Sequence, residues 1–284
     1  PLSVVLGMNN AVNAHISIQL GLGGVSTSHT AACASSGIAI GEAFRRVRSG
    51  DAAVVLAGGS DVCQTYGVVR AWEAMRVMAP GDAQTAPGAC RPFAADRAGL
   101  VLGEGAAALV LEAWDHAVSR GATIHGEIVG YGTSCDHSHL VRPHRQGQVR
   151  AMRAALADAG LAPQHIHYVN AHGTATVEGD PVEIAALREV FGDGAAGLPV
   201  SATKSMHGHL LGAAGAIEAV VTVLALREQA VPPTAHLAGR IDPACEGVDH
   251  VLQGRRGVPL QAALSNSFAF GGSNAVLALR APPR

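Results

Sequence analysis

Charge is what this sequence has least of. Asp, Glu, Lys and Arg make up 15% of its 284 residues, against about 25% in an ordinary soluble domain. The first 41 residues, Pro1 to Gly41, contain none of the four, where about six are expected at the chain's own average. Charges are excluded both from a protein core and from the centre of a subunit interface, so the segment reads as one, the other, or both. It is no membrane span, because Asn9, Asn10, Asn13, His15 and Gln19 interrupt it. Nor does any other stretch offer the roughly 20 apolar residues a spanning helix needs; the best, His209 to Leu226, carries Glu218 in its middle. With 20 basic against 22 acidic residues, the chain also lacks the basic excess of a nucleic-acid or polybasic membrane-surface binder.

Paired cysteines are missing too. Cys33, Cys63, Cys90, Cys135 and Cys245 are odd in number and scattered, with no CxxC among them. With no secretory apolar run at the start, this points to a reducing, cytoplasmic setting and not to a disulfide framework. The chain begins with Pro1 and not Met, so it is expected to be part of a longer product. Apolar residues, by contrast, reach 48% and glycine 35 residues. That excludes disorder, allows a sizeable core and implies many tight turns.

Along the chain, short apolar runs alternate with helical patterns. Ser36 to Ser49 reads as a helix with Ile40, Phe44 and Val47 on one stripe and Gly50 beyond its end. Further helices are expected over Arg150 to Ala159, Pro181 to Phe191 and Leu210 to Leu226, the last with Leu210, Ala214, Ile217, Val221 and Leu224 on its apolar face. Strands are expected over Ala52–Ala57, Ala106–Leu111, His125–Tyr131, Ile166–Val169 and Val200–Ala202. Two more, Ala263–Phe268 and Ala275–Leu279, flank a Gly271–Gly272 turn. The alternation means an α/β protein whose sheet is covered on both faces.

Three residues stand out for chemistry. Cys33, in TAACASSG, has only small neighbours and precedes a helix; helix dipoles there favour a thiolate, and the small residues leave room for an acyl group. His172, in NAHGTATVEGDPVE, sits where a strand ends and a loop begins, the usual place for a site in an α/β sheet. His209, in TKSMHGHLLGAAGA, is expected at the N-terminus of the long helix, which keeps its ring neutral. Lys204 and Glu183 are candidates for a buried ion pair supporting the site. The His137/His139, His165/His167 and His207/His209 spacings could chelate from a strand, but no HExxH, cysteine pair or carboxylate completes such a set, so no metal is expected. The Gly103–Glu104–Gly105 triplet is too short for a dinucleotide motif, and no phosphate loop exists.

In order, the segments around Cys33, His172, His209 and Phe270 (NSFAFGGSNA), with GGSD at Gly58–Asp61, RPFAADRAGLVLGEGA at Arg91–Ala106 and VPPT at Val231–Thr234, resemble the chain-elongating β-ketoacyl-acyl carrier protein synthases over essentially the whole chain. The resemblance implies a thiolase-type duplicated αβαβα layered fold, incomplete in its first half: residues 1–120 as the remainder of the N-terminal half with the nucleophile, and 121–284 as the C-terminal half with both histidines. Missing strands would leave exposed sheet edges and apolar surface. It implies transfer of an acyl chain to Cys33, then decarboxylative condensation with malonyl-acyl carrier protein, in fatty-acid or polyketide synthesis. It makes Cys33 and Phe270 the oxyanion hole, Phe270 also the gate, Thr174 and Thr176 the pantetheine contacts, and Lys204 with Glu183 the supporting pair. No bound cofactor is implied beyond phosphopantetheine carried in by acyl carrier protein. The expected partners are that carrier and a second ketosynthase subunit, identical or related.

The chemistry of the residue types agrees. A cysteine thioester stays electrophilic enough for attack by carbon, and two neutral imidazoles can stabilise the enolate that loss of CO2 creates. Two other readings share the fold. A non-catalytic chain-length-type subunit would have no use for Cys33, His172 and His209 together, and a plain acyltransferase would not need the second histidine. Three departures from the family pattern carry expectations. His207 replaces a usual Thr and is expected to add a polar contact near the pantetheine mouth. Ala269 replaces a usual Gly and is expected to stiffen the loop carrying Phe270. The short Asp136–Gly147 segment is expected to alter the entrance, and Arg142, Arg145 and Arg150 in or beside it read as a solvated basic face or as a contact for an acidic carrier.

Overall fold

The computed structural model describes residues 3–282. The chain forms two compact units, residues 1–30 and 31–284. In the first, α1 (Ser3–Gly7) leads to α2 (Ala11–Leu20), which ends at Gly21 in the left-handed region with φ 65°. Asn13 Nδ2 donates to Thr27 O and to Ser28 Oγ, tying the following strand of chain back to α2. The buried-core reading of this charge-free stretch fails here. Among the described residues of the unit only Ala11 is buried, while Val4, Ile18 and Val25 are each more than 75% exposed.

The second unit contains α3 (Ser35–Ser49), β1 (Val54–Asp61), α4 (Tyr66–Ala74), β2 (Gly105–Glu112), α5 (Trp114–Ser119), β3 (Glu127–Cys135), α6 (Arg145–Asp158), β4 (Tyr168–Asn170) and α7 (Gly179–Phe191). It continues through β5 (Pro199–Ser201), α8 (Lys204–His207), α9 (Ala214–Glu228), β6 (Ala230–Val231), β7 (Asp249–His250), β8 (Arg255–Arg256), β9 (Ala262–Phe268) and β10 (Ser273–Arg280). Six strands form one mixed sheet in the order β3-β10-β9-β4-β5-β7. β10 runs antiparallel to both β3 and β9, while β9, β4, β5 and β7 are parallel to one another.

Strand alternation sorts the side chains to two faces. Val276 and Ala278 join Met152 of α6 and Ile184 of α7 on one side; Ala275, Leu277 and Leu279 join Ile40 and Phe44 of α3 and Ala219 of α9 on the other. Full burial of a side chain such as Ile184 or Leu187 is worth roughly 1.5–3 kcal/mol. Beyond α3 and α9 lies the antiparallel β1–β2 pair. The layers therefore run helix, sheet, helix, sheet, which is the expected α/β architecture. The outer sheet has two strands among the described residues and leaves Val54 and Val110 exposed.

Two helix boundaries differ from expectation, both beside the site. α6 starts at Arg145, five residues before Arg150, because Gly147 belongs to its first turn; a Cβ there would lie 1.7 Å from Asp136 Oδ1. α9 starts at Ala214, four residues after Leu210, since Leu211 has φ 45° and a 3-10 turn over Leu211–Ala213 intervenes. The buried stripe of α9 is also rotated. Its buried residues are Ala214, Gly215, Ala216, Glu218, Ala219, Thr222, Ala225 and Leu226, while Leu224 is exposed. Small residues let α9 approach α3 closely: a Cβ on Gly215 would lie 2.8 Å from Gly37 N.

Glycine also sets the seat of α6 on the sheet. A Cβ at Gly132 would meet Ala151 O at 2.1 Å and Ala155 N at 2.4 Å, both backbone atoms that cannot swing aside. Gly132→Ala is therefore expected to destabilise the fold by about 3 kcal/mol. Denaturant unfolding measures this, and an unchanged midpoint would mean that α6 does not lie on β3 as described.

Candidate active site

Three loops bring the sequence-predicted residues together. Cys33 sits in the 3-10 turn Ala32–Ala34 that runs directly into α3. Ala32 is held at φ 45°, a left-handed conformation that non-glycine residues adopt rarely. His172 follows β4, and His209 lies between α8 and the 3-10 turn before α9. The sulfur of Cys33 is 3.0 Å from His209 Nε2. The two imidazole rings meet edge to face with centroids 5.3 Å apart. The sulfur and one nitrogen of each ring lie within 4.8 Å of one another, all buried.

Burial decides the charge state here. It pushes the Cys33 thiol up to about 11, outweighing the Lys204 ammonium and the backbone N–H groups of Phe270 and Cys33, which pull it down. The thiolate expected from the helix dipole is thus overruled by desolvation, and the resting nucleophile is a neutral thiol. Burial likewise holds His172 and His209 well below the usual imidazole range, and the nearby Lys204 charge adds to it. His209 is neutral as expected, but the cause is burial beside a cation and not the terminus of α9.

The proton positions follow from the contacts. Lys204 Nζ donates to His172 Nδ1 at 3.2 Å and to the His172 carbonyl at 2.6 Å. The Leu211 N–H donates to His209 Nδ1 at 3.3 Å. Each neutral ring therefore accepts at Nδ1 and carries its proton on Nε2. A sulfur and two imidazoles this close suit a thiophilic cation by geometry. The donor set does not: both Nε2 atoms are protonated, and an ammonium touches one of the rings.

The supporting pair needs a correction. Lys204 does not bond Glu183; its carboxylate partner is Glu218 of α9, in a short contact with both side chains fully buried. Burial pushes the Glu218 carboxyl up and the adjoining ammonium pulls it back. Glu183 instead accepts the backbone N–H groups of His172 and Gly173 at 2.9 and 2.8 Å and Asn266 Nδ2 at 3.2 Å. Both acidic residues hold the His172 loop, Glu183 by its backbone and Glu218 through Lys204.

A cavity of about 310 Å³ reaches Cys33, His172 and His209 and is lined further by Thr174, Thr176, Trp72, Arg142, Gln148 and Phe270. Thr174 Oγ1 and Thr176 Oγ1 are 3.0 Å apart. Their loop is pinned from outside by Arg97, 6% exposed, which donates to the carbonyls of Thr176 and Val177 and pairs with Asp242. Phe270 stacks on Trp72 with centroids 5.8 Å apart. Its loop turns at Gly271 and Gly272, with φ 83° and 77°, and the Gly271 N–H donates to Leu140 O of the entrance segment. Ala269 is extended at φ −122°, so no glycine is required there.

Other expectations divide. His207 contacts Thr203 and the Gly208 carbonyl and does not line the cavity, so the expected mouth contact is absent. Arg145 pairs with Glu189 and Arg150 donates to the Cys135 carbonyl, which leaves Arg142 as the member of that trio on the cavity wall. Sequence reasoning missed Asp136, buried, which accepts from Asn274 Nδ2 and from the His144 N–H. It also missed Trp72, Arg97 and Gln148. Glu218 was visible as a lone charge inside an apolar helix, yet nothing in the numbering linked it to Lys204.

The family profile "Beta-ketoacyl synthase, N-terminal domain" matches residues 2–117 and "Beta-ketoacyl synthase, C-terminal domain" matches residues 125–238. The chain is 48% identical over 279 residues to nodulation protein E of Rhizobium sp. (strain N33), covering 98% of this chain and 67% of that protein. It is 42% identical over 282 residues to 3-oxoacyl-[acyl-carrier-protein] synthase 2 of Staphylococcus aureus (strain COL), covering 99% and 67%. A solved type II polyketide ketosynthase, in complex with its acyl-carrier protein and bound to the hexaketide, superimposes with a TM-score of 0.93 at 31% identity, over 96% of this chain and 67% of that one. The chain thus spans about two thirds of the length of the relatives it matches.

Two outcomes are expected from this geometry. Alkylation of Cys33 by iodoacetamide, followed by peptide mass spectrometry, should rise about tenfold per pH unit from pH 7 to 10, because only the thiolate reacts. A plateau below pH 8 would contradict a thiol held near 11. Lys204→Met should cost about 3–5 kcal/mol by leaving a buried carboxylate unpaired, and Lys204→Met with Glu218→Leu should recover most of it. Thermal unfolding of the two variants checks this.

Proposed function

The chain belongs to the β-ketoacyl synthase family, and from that premise we propose that it catalyses decarboxylative condensation of an acyl thioester held on Cys33 with malonyl-acyl carrier protein, elongating a fatty-acid or polyketide chain. The observation that carries the proposal is the convergence of one thiol and two Nε2–H donors at the end of one cavity. In the first step the Cys33 sulfur attacks the carrier thioester and passes its proton to the departing pantetheine sulfur. The backbone N–H groups of Cys33 and Phe270, already directed at the sulfur's surroundings, stabilise the oxyanion of that addition.

In the second step the malonyl thioester oxygen accepts from His172 Nε2–H and His209 Nε2–H. Negative charge grows on that oxygen as CO2 departs, and the two fixed donors stabilise it without having to reorient. The enolate carbon attacks the acyl carbon, the carbon–sulfur bond to Cys33 breaks, and the sulfur regains a proton, giving a 3-oxoacyl product two carbons longer. Neutral rings serve this step better than charged ones, since an imidazolium would surrender its proton to the enolate.

Thr174 and Thr176 hold the pantetheine arm in this reading, supported by their place on the cavity wall. Phe270 gates the cysteine, and Lys204, Glu218 and Glu183 position His172. Phosphopantetheine arrives on acyl carrier protein and leaves with it. A second ketosynthase subunit, identical or related, covers the uncharged and exposed apolar residues of the first 30 positions. The two halves divide near residue 120, and the five free thiols support a reducing, cytoplasmic setting.

The test is direct. Cys33→Ala should take up no radiolabelled acyl chain. His172→Ala should still be acylated yet release CO2 from malonyl-acyl carrier protein about 100-fold more slowly or worse. Acyl uptake by Cys33→Ala would remove the nucleophile, and acyl transfer without CO2 release by the wild-type protein would make it a plain acyltransferase.

A further inference from the structure

One buried polar group in the cavity has no work in the chemistry above. Gln148 stands in the first turns of α6 and is 2% exposed. It shares the cavity wall with Cys33, Thr174, Thr176, Phe270 and Asn274. Its Oε1 is buried and has no hydrogen-bond partner. The neighbouring amide shows what a satisfied group looks like here: Asn274 Nδ2 is engaged by Asp136 and Ser134. An unsatisfied buried acceptor costs about 1–3 kcal/mol, and such groups are few in native proteins. An apolar side chain of similar length would carry no such cost.

We propose that Gln148 is a recognition residue for an amide group of the pantetheine arm, an inference that rests on the reading of this cavity as the arm's channel. A primary carboxamide offers an acceptor and a donor in the same plane, which complements a secondary amide: Oε1 accepts the arm's N–H, and the carboxamide N–H can donate to its C=O. The arm carries such amides, whereas an acyl chain offers no N–H for Oε1 to accept. Gln148 also follows directly on the entrance segment that holds Asp136, Arg142 and the Leu140 carbonyl, the side on which the carrier's arm must enter. It is thus a binding residue opposite the Thr174–Thr176 loop, and it touches the arm and not the reacting carbon.

The experiment compares Cys33 acylation from two esters of the same acyl group, one on pantetheine and one on hexanethiol, which has no amide. Wild-type protein should use the pantetheine ester with the higher kcat/KM. Gln148→Leu should lose about tenfold of kcat/KM on the pantetheine ester, mainly through KM and close to the worth of one hydrogen bond, with no change on the hexanethiol ester. Its melting temperature should be equal to or above wild type; Gln148→Met serves as the second variant. An equal loss on both esters, no loss on either, or a lowered melting temperature in both variants would overturn the assignment. Acylation of wild type with no effect of either variant would sink this inference alone, whereas no acylation of wild type from any thioester would sink the proposed function and this inference with it.

Discussion

Lys204 is the residue on which the rest of the site depends. It is a fully buried ammonium that spends its donors on Glu218, on the His172 carbonyl and on His172 Nδ1. Those bonds orient the ring and fix its proton on the opposite nitrogen, and the like charge adds to the burial that keeps the ring neutral. Without the ammonium, His172 would be free to turn and to choose its tautomer. Without Glu218, burial of the ammonium would be prohibitive. The pair is a positioning device, and its value lies in geometry more than in net stability.

The same charge acts at a distance on the sulfur. Cys33 is placed by a strained residue, Ala32, at the head of a helix, with two backbone N–H groups and the Lys204 field all favouring thiolate. Desolvation still wins, and the thiol stays protonated at rest. A buried neutral thiol resists adventitious alkylation, because only the thiolate reacts. The burial that keeps Cys33 protonated therefore also lowers its reactivity at rest.

Much of this was legible in the sequence, for identifiable reasons. Cys33, His172 and His209 each stand in a loop of small or glycine residues next to an apolar run, so local pattern marked their setting, whereas Phe270 stood out only through the family resemblance. The α/β alternation placed seven of the ten strands among the described residues, because buried strands are short apolar runs with glycine flanks, but not the two-residue strands β6, β7 and β8. Long-range pairing was not legible. Lys204 binds Glu218 rather than Glu183 because α9 rotates its small-residue stripe inward, against the face that hydrophobicity alone selects. Asp136, Arg97 and Gln148 matter through partners or cavities tens of residues away, which periodicity cannot report. The charge-free opening segment is unusual in composition, yet composition alone does not tell a buried core from an exposed surface, and its first 30 residues are mostly exposed among the described residues.

The central claim is that the imidazoles of His172 and His209 are neutral and carry their protons on Nε2, beside the Cys33 sulfur. Nitrogen NMR of side-chain-labelled histidine distinguishes the two tautomers and the imidazolium directly. The account predicts that His172 and His209 both report protonated Nε2 and unprotonated Nδ1 throughout about pH 6 to 8. An Nδ1-protonated ring or an imidazolium at either position in that range would contradict it.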